Sequence, residues 1–394
     1  MNPDSLLTIL EYWSFWDKSP PGSILRNIIL PPKLDSELVL AVQGVRRCGK
    51  STLLGQMIGR YGLNKEQCLF LNFEDVRLLP SLGPELLITM TELFAQRFSN
   101  NEQLFFFLDE IQNVPNWEKW LHTKLERPGR EHFIISGSNS SMLSGELASK
   151  LTGRHKTVEL YPFDFSECLK DFTNLTPETY LSIGGFPKPL TSKGDVILLQ
   201  QYFRDIIERD IALRVGARNS DQVLNVLRMV FESSGSELSL RKIAGVTGLS
   251  GDTVGSYLQA AEDAYLIFGC PYFSYSSRKQ RVRNKKFYPI DPGLRRAVIN
   301  VSERDFGKDL ELVSYLALRK AFNDVYYWRD NLEVDFVVIV QGHPLPIQVT
   351  WDTPKERHER ALKEFYERFP EAHEALFLGR KDIEENFAVL EKYR

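Results

Sequence analysis

From residue 37 onward the chain alternates short apolar runs with longer amphipathic stretches. The runs are Leu38–Gln43, Cys68–Phe73, Leu104–Leu108, Phe133–Ser136 and Thr157–Leu160. Runs of this length, apolar at nearly every position, read as strands buried on both faces, hence as a parallel sheet covered by helices. Most of the intervening segments are long enough for crossover helices. The pattern predicts an α/β fold with a five-stranded parallel sheet ending near residue 160.

Beyond Pro162 the pattern turns mostly helical. Phe163–Leu181 is followed by the breakers Gly184, Gly185 and Pro187, and helical periodicity returns over 198–213. Three helices are predicted at 222–232, 239–246 and about 252–264, then two apolar stretches, Tyr265–Cys270 and Phe287–Ile290, around a basic segment. Three helices and then a hairpin is the order of a winged helix. After Pro292 a helix over 305–322 precedes Val325–Trp328, Val334–Val340 and Leu345–Val349, whose spacing suggests hairpins. A charged helix (354–368) and a strand (Ala375–Leu378) close the chain. The expected domains are an N-terminal segment (1–36), the sheet domain (37–160), a helical lid (161–220), a winged helix (221–291) and a C-terminal α/β domain (292–394). The N-terminal segment carries Pro-Pro pairs at Pro20–Pro21 and Pro31–Pro32 and an aromatic cluster, Tyr12, Trp13, Phe15 and Trp16. That cluster is expected to pack on a later domain, with an exposed partner-binding arm as the alternative.

Composition narrows the class. Hydrophobic residues make up 43% and charged residues 26% of 394 positions, which excludes a disordered or fibrous chain. The net charge of −3 means that any basic surface must be local. Cys48, Cys68, Cys168 and Cys270 are far apart, so a disulfide framework or zinc site is not expected and a reducing, cytoplasmic setting is. No signal peptide is read at the N-terminus. No apolar run approaches the roughly 18 residues that a membrane span needs, so no membrane partner is expected.

The chemistry concentrates at Gly44-Val45-Arg46-Arg47-Cys48-Gly49-Lys50-Ser51, which fits GxxxxGK[ST] between a predicted strand and a predicted helix. Glycines let the backbone curl so that successive N–H groups and the helix N-terminus face an anion. Residues Gly44 through Thr52 would cradle the phosphates of ATP, with Lys50 on the β- and γ-phosphates and Ser51 on Mg2+. Downstream, Leu104–Leu108 ends in Asp109-Glu110. Asp109 would reach the metal, and Glu110 would polarise the attacking water as general base. Phe133–Ser136 runs into Gly137-Ser138-Asn139, where Asn139 or Ser138 would orient that water; an ordinary helix cap is the alternative. Cys48, inside the loop, reads as a small packing residue, although a helix N-terminus can lower a thiol pKa.

With these pieces in view, the chain resembles archaeal and bacterial AAA-type P-loop ATPases that carry a C-terminal nuclease-like domain of unknown function. The matching stretches are GVRRCGKSTLL (44–54), LNFED (71–75), FFFLDE (105–110), SGSNSSML (136–143), LTGR (151–154), ELYPFDFSE (159–167), GGFP (184–187) and YFRDIIERDI (202–211). The resemblance implies an AAA+ core, ATP hydrolysis with Mg2+ and a homo-oligomeric ring, of which a hexamer is one form. It also implies that Arg154 is a candidate arginine finger acting in trans, or else a plain surface residue, and that Arg209 is a candidate lid contact. For the last domain it implies a PD-(D/E)xK arrangement around Glu311, Asp335, Gln348 and Thr350. There Gln348 stands where a carboxylate belongs and Thr350 where a lysine belongs. The site therefore reads as degenerate, retained cleavage through Glu311, Glu333 and Asp335 being the lesser alternative.

The basic segment adds a partner. Arg278, Lys279, Arg281, Arg283, Lys285, Lys286, Arg295 and Arg296 crowd into 276–296 beside one acid, Asp291. Following a helix-turn-helix pattern over 238–258, this local charge suits DNA phosphates, bound without base specificity. Three readings stand: an ATPase coupled to DNA, an ATP-gated protein scaffold, and an ATP-dependent nuclease.

Overall fold

The computed structural model describes residues 2–19, 24–99, 101–140, 153–192, 194–299 and 306–394. The Pro20–Pro21 pair, the end of SGSNSSML and Leu151-Thr152 of LTGR lie outside the described residues. The chain divides into two compact units, Met1–Tyr161 and Pro162–Arg394.

The first unit is built on five strands, β1 (Val39–Gln43), β2 (Cys68–Asn72), β3 (Leu104–Asp109), β4 (Glu131–Gly137) and β5 (His155–Glu159). They form one sheet in the order β2-β3-β4-β1-β5, with every pairing parallel. β1 and β3 are buried along their whole length, as their unbroken apolar runs require. Its α-helices among the described residues are α1 (Pro3–Trp13), α2 (Lys50–Arg60), α3 (Pro84–Ala95) and α4 (Trp117–Glu126). One core joins Leu6, Ile9 and Leu10 of α1 to Leu69, Phe106 and Phe133 of the sheet and to Met90, Phe94, Trp117 and Leu121 of α3 and α4.

The aromatic N-terminus is thus part of this core. Trp16 Nε1 donates to the Cys68 carbonyl (2.9 Å), Ser14 Oγ accepts from Phe70 N–H (3.1 Å), and Trp13 Nε1 donates to Asp75 (2.7 Å). The first two of these bonds occupy main-chain groups of β2, the edge strand, which would otherwise be open to pairing with another chain. Trp16 also stacks on Phe94 at 5.8 Å.

In the second unit, short helices at Phe165–Cys168, Pro177–Ile183 and Pro187–Thr191 lead into Val196–Ile206, which continues as a π-turn over Ile207–Ala212. Three helices follow, Ser220–Glu232, Leu240–Thr247 and Gly251–Asp263. β6 (Ile267–Cys270) and β7 (Lys286–Pro289) then pair antiparallel, with a helix, Ser277–Val282, between them. Helices Pro292–Val298 and Gly307–Ala321 precede a sheet ordered β11-β10-β9-β8, made of β8 (Tyr326–Arg329), β9 (Glu333–Val340), β10 (His343–Val349) and β11 (Leu376–Leu378). β8, β9 and β10 are antiparallel neighbours, as their short connections predict; β11 lies parallel to β10 after the helix Glu356–Arg368.

The β6–β7 connection is tied to this C-terminal sheet. Phe273 N donates to the Tyr327 carbonyl (2.7 Å) and Tyr327 N to that of Pro271 (3.0 Å), and the Phe273 ring enters the core formed by Trp328, Phe365 and Phe369. Among the described residues no helix is long and apolar enough to cross a membrane. All four cysteines are free and buried.

Candidate functional site

β1 ends at Gln43, α2 begins at Lys50, and the six residues between them form a tight loop. Val45 and Cys48 are fully buried and anchor it. Burial also pushes the Cys48 thiol above its ordinary pKa, so this cysteine fills space and is not an activated nucleophile. Gly44 is required by proximity: a Cβ there would lie 2.1 Å from the Leu160 carbonyl oxygen. Gly49 is required by conformation, since it caps α2 at φ +103°. The two motif glycines therefore serve different ends. Lys50 follows directly. Its Nζ donates to the carbonyls of Gly44 (3.1 Å) and Val45 (3.4 Å) and stands 3.5 Å from Glu110 Oε1.

Parallel pairing brings the other groups alongside. Asn72 ends β2 in register with Asp109, and β4 flanks β3 on its other side. Asp109 is fully buried and accepts from Asn72 Nδ2 (2.7 Å), from the Ser136 hydroxyl and from the Ser51 hydroxyl. Ser136 Oγ also accepts from Glu110 N–H (3.0 Å), so one hydroxyl bridges both acids. Glu110 sits at φ +54°, a left-handed conformation that a non-glycine residue adopts at a cost of order 1–3 kcal/mol. Its carboxylate is held by Lys50 and by the Gln112 amide. Ser138 is buried and Asn139 half-buried, just past the end of β4.

The charges follow from these neighbours. Burial works against ionisation of Glu110, but Lys50, Gln112 and Arg46 outweigh it and leave its pKa below the ordinary carboxylate value. Burial likewise works against the Lys50 ammonium, which Glu110, Cys48 and Asp109 nonetheless hold above the ordinary lysine value. Asp109 is pushed up by burial and by the adjacent Glu110 charge, against the bonds from Ser136 and Ser51. At neutral pH Glu110 is an anion that can take a proton, beside a permanent cation. A hydroxyl and a carboxylate that already touch are oxygen donors suited to Mg2+, which keeps water or phosphate oxygens as its remaining ligands.

Lys50, Ser51, Asp109 and Glu110, grouped by sequence reasoning, lie together in the structure. That reasoning passed over Asn72 and Ser136, which reach Asp109 only because of the order of the strands.

Arg154 lies elsewhere. Its carbonyl accepts from Val39 N–H, at the start of β1, so it stands at the opposite end of that strand from Gly44. Five residues at about 3.3 Å each put roughly 17 Å between the two ends. Arg154 instead donates to the Leu125 carbonyl (3.1 Å) and to Glu126 (2.7 Å). Within one copy of the chain it serves no phosphate on this loop; only a second copy would find it useful. If it is an arginine finger, Arg154→Ala should lower turnover by 10³-fold or more while leaving ATP affinity unchanged. Steady-state hydrolysis at saturating ATP measures this, and an unaltered rate leaves Arg154 a surface residue.

The basic segment is divided by the structure. Arg278, Lys279, Arg281, Arg283 and Lys285 are exposed, while Lys286 is fully buried. Lys286 therefore does not belong with the nucleic-acid contacts: Lys285 is the last exposed residue of the run, and Lys286 opens β7, every residue of which is buried. Lys286 Nζ lies 2.5 Å from Glu333 and 3.6 Å from Glu311, whose Oε1 also accepts from Tyr288 (2.7 Å). Asp335 accepts from Val349 N–H (2.8 Å), and Gln348 donates to the Glu333 carbonyl (3.0 Å). Burial and the neighbouring carboxylates push Asp335 up. Thr350 is half-buried just past β10, its N–H donating to Leu378. Glu311, Glu333 and Asp335 thus surround a lysine ammonium, and among the described residues no group of three or more His, Cys, Asp or Glu is arranged to hold a metal ion.

Comparison with known proteins places this geometry. Residues 36–169 match the AAA domain family, and residues 175–305 match a domain of unknown function, DUF8612. An uncharacterized protein of Methanocaldococcus jannaschii, MJ1544, is 32% identical over 364 residues, spanning 84% of this chain and 79% of the relative. The chain belongs to the family of that protein. An uncharacterized protein of Haemophilus influenzae shares 27% identity over 345 residues, spanning 82% of this chain and 85% of its own. Among solved structures, Cdc6p from Pyrobaculum aerophilum matches with 10% identity and a TM-score of 0.28, over 59% of this chain and 80% of its own. PCH-2 of C. elegans matches with 12% identity and a TM-score of 0.25, over 58% and 60%. The loop, the two acids and the five parallel strands all fall within the AAA-domain match of this family member.

Proposed function

We propose that the chain is a magnesium-dependent ATP hydrolase whose second unit binds nucleic acid. The observation that carries the hydrolase reading is the convergence of Lys50, Ser51, Asp109 and Glu110 at the mouth of a glycine-bounded loop. Amides of Gly44 through Thr52 would hold the phosphates. Lys50 would exchange its two loop carbonyls for phosphate oxygens, and Glu110 would receive the proton of the attacking water. Ser51 and Asp109 would hold the magnesium ion, which supplies charge neutralisation to the phosphates. Asn139 or Ser138 would orient the water. An oligomer would bring Arg154 of one copy towards the loop of another.

The nucleic-acid part of the reading is supported by exposed cations. On the winged-helix reading of 221–291, the helix Gly251–Asp263 would lie in the major groove, yet it has no lysine or arginine and carries Asp252, Glu262 and Asp263. Positive charge comes instead from Arg278, Lys279 and Arg281 on the helix Ser277–Val282. Such a layout suits backbone phosphates and leaves bases unread. The acidic helix also favours the alternative of an ATP-gated scaffold with a protein partner. Cleavage is the least supported reading, because Lys286 already neutralises the carboxylates and Gln348 replaces one.

Replacing Arg278, Lys279 and Arg281 together by Ala should weaken DNA binding and reduce the salt slope by up to about three, near 0.9 per lost phosphate contact. Fluorescence anisotropy at several salt concentrations measures both. Hydrolysis stimulated by single-stranded, duplex or branched DNA supports the coupled reading. Hydrolysis indifferent to all three supports the scaffold.

A further inference from the structure

The segment preceding β1 supplies a charged side chain to the phosphate loop. Residues 24–31 run beside α2 without joining the sheet. Side chains at the far end of α2 hold them there. Gln56 Nε2 donates to the Ile24 carbonyl (3.0 Å), Arg60 to those of Arg26 (3.3 Å) and Ile28 (3.4 Å), and Tyr61 to that of Pro31 (2.9 Å). Burial alternates along this strap. Ile24 and Arg26 face inward, while Leu25, Asn27 and Ile29 face outward.

Arg26 is only 7% exposed. A guanidinium that far from water needs partners, and two of them are main-chain oxygens. Nη1 donates to the Cys48 carbonyl (3.2 Å), and Nη2 donates to that of Tyr161. Cys48 is in the middle of the phosphate-loop motif. In a trans peptide the carbonyl and the following N–H point in opposite directions. Holding the Cys48 carbonyl therefore turns the Gly49 N–H away from Arg26. That peptide needs restraint, because Gly49 is free to adopt many conformations and caps α2 without a side chain to fix it.

The second bond reaches the place where the chain leaves the unit. Tyr161 is the last residue of the first unit. Its predecessor already touches the loop: Leu160 N donates to Gln43 (2.7 Å), and the Leu160 carbonyl fills the space that a Cβ on Gly44 would need. Residues 160–161 are thus fastened to the start of the loop directly and to its end through Arg26. Arg26 also lies outside the 36–169 match, so the AAA domain assignment does not include it.

We propose that Arg26 is a positioning residue for ATP turnover, clamping the Cys48–Gly49 peptide so that the Gly49 amide faces the nucleotide, and tying that peptide to the segment through which the chain leaves the nucleotide unit. The inference rests on the hydrolase reading above. Lysine keeps the charge but is a point donor, and it cannot fork between two carbonyls in arginine's planar geometry.

The test compares the wild type with Arg26→Lys in steady-state hydrolysis, magnesium–ADP affinity and thermal unfolding. Arg26→Lys should lower kcat about tenfold or more, because small misplacements of a catalytic loop are costly. Its KM and magnesium–ADP affinity should stay within about threefold of wild type, because the positive charge remains. Wild-type kcat in Arg26→Lys overturns the proposal, as does an equal loss in kcat and affinity. Should that variant fail to fold, hydrogen exchange on the wild type decides the matter. Magnesium–ADP should then protect 44–50 and 159–161 together, whereas protection confined to the loop overturns the proposal. A wild type that does not bind nucleotide defeats the hydrolase reading instead, so the two failures are distinct.

Discussion

Lys50→Ala is expected to lose ATP hydrolysis by on the order of 10²–10³-fold or more, the scale for removing a group that stabilises charge in a water-excluded site. The side chain is 3% exposed, and its ammonium is already poised between two loop carbonyls and Glu110. Deletion removes the cation that would meet the phosphates and leaves the Glu110 carboxylate without its counter-charge. Burial then acts on Glu110 with less opposition and moves its pKa upward. The variant should therefore show weak binding of magnesium–ATP by calorimetry and negligible phosphate release. It should also be less stable than the wild type at neutral pH, where an ionised Glu110 is unpaired. The sign is that of a depressed carboxylate: the stability that the pair gives is present above the unfolded pKa of about 4.3 and is lost as the pH falls through the folded value. Wild-type turnover in Lys50→Ala would remove the phosphate-loop assignment.

Glu110→Gln separates binding from chemistry. Glutamine keeps the shape and still pairs with Gln112, but it cannot take a proton. Turnover should fall about 10²–10⁴-fold, the usual worth of a positioned general base, while ATP affinity is kept. Losing the negative charge beside Lys50 also removes a competitor for the ammonium, so binding should tighten if it changes at all. Full activity in this variant would dismiss Glu110 as the base and leave its left-handed backbone and its ion pair as structural features.

The core of this site was legible because its parts lie close together in sequence or end strands. The motif from Gly44 to Ser51 needs only a strand before it and a helix after it, and the apolar run Leu104–Leu108 announces the acids that follow it. Asn72 and Ser136 were not legible, since each reaches Asp109 across a sheet whose order, β2-β3-β4-β1-β5, is not the order of the chain. Arg26 left no trace at all. It is a single cation in a segment without helical or strand periodicity, and the Cys48 and Tyr161 groups it holds are main-chain atoms, which carry no residue signature. Lys286 was misread for the opposite reason, because it closes a run of basic residues whose charge hid the start of the wholly buried strand β7. In the second unit the helices and strands expected between 198 and 378 lie within a few residues of those observed, but the helices Pro187–Thr191, Ser277–Val282, Pro292–Val298 and Arg380–Glu384 were not expected; Ser277–Val282 is a polar basic stretch with no buried residue to reveal it.

A calorimetric titration of the full chain with ATP, run with and without magnesium and followed by phosphate release, tests the account most directly. It predicts saturable binding of one nucleotide per chain and hydrolysis that requires magnesium and is lost in Lys50→Ala. Absence of nucleotide uptake in magnesium, or uptake undiminished by that substitution, would contradict it.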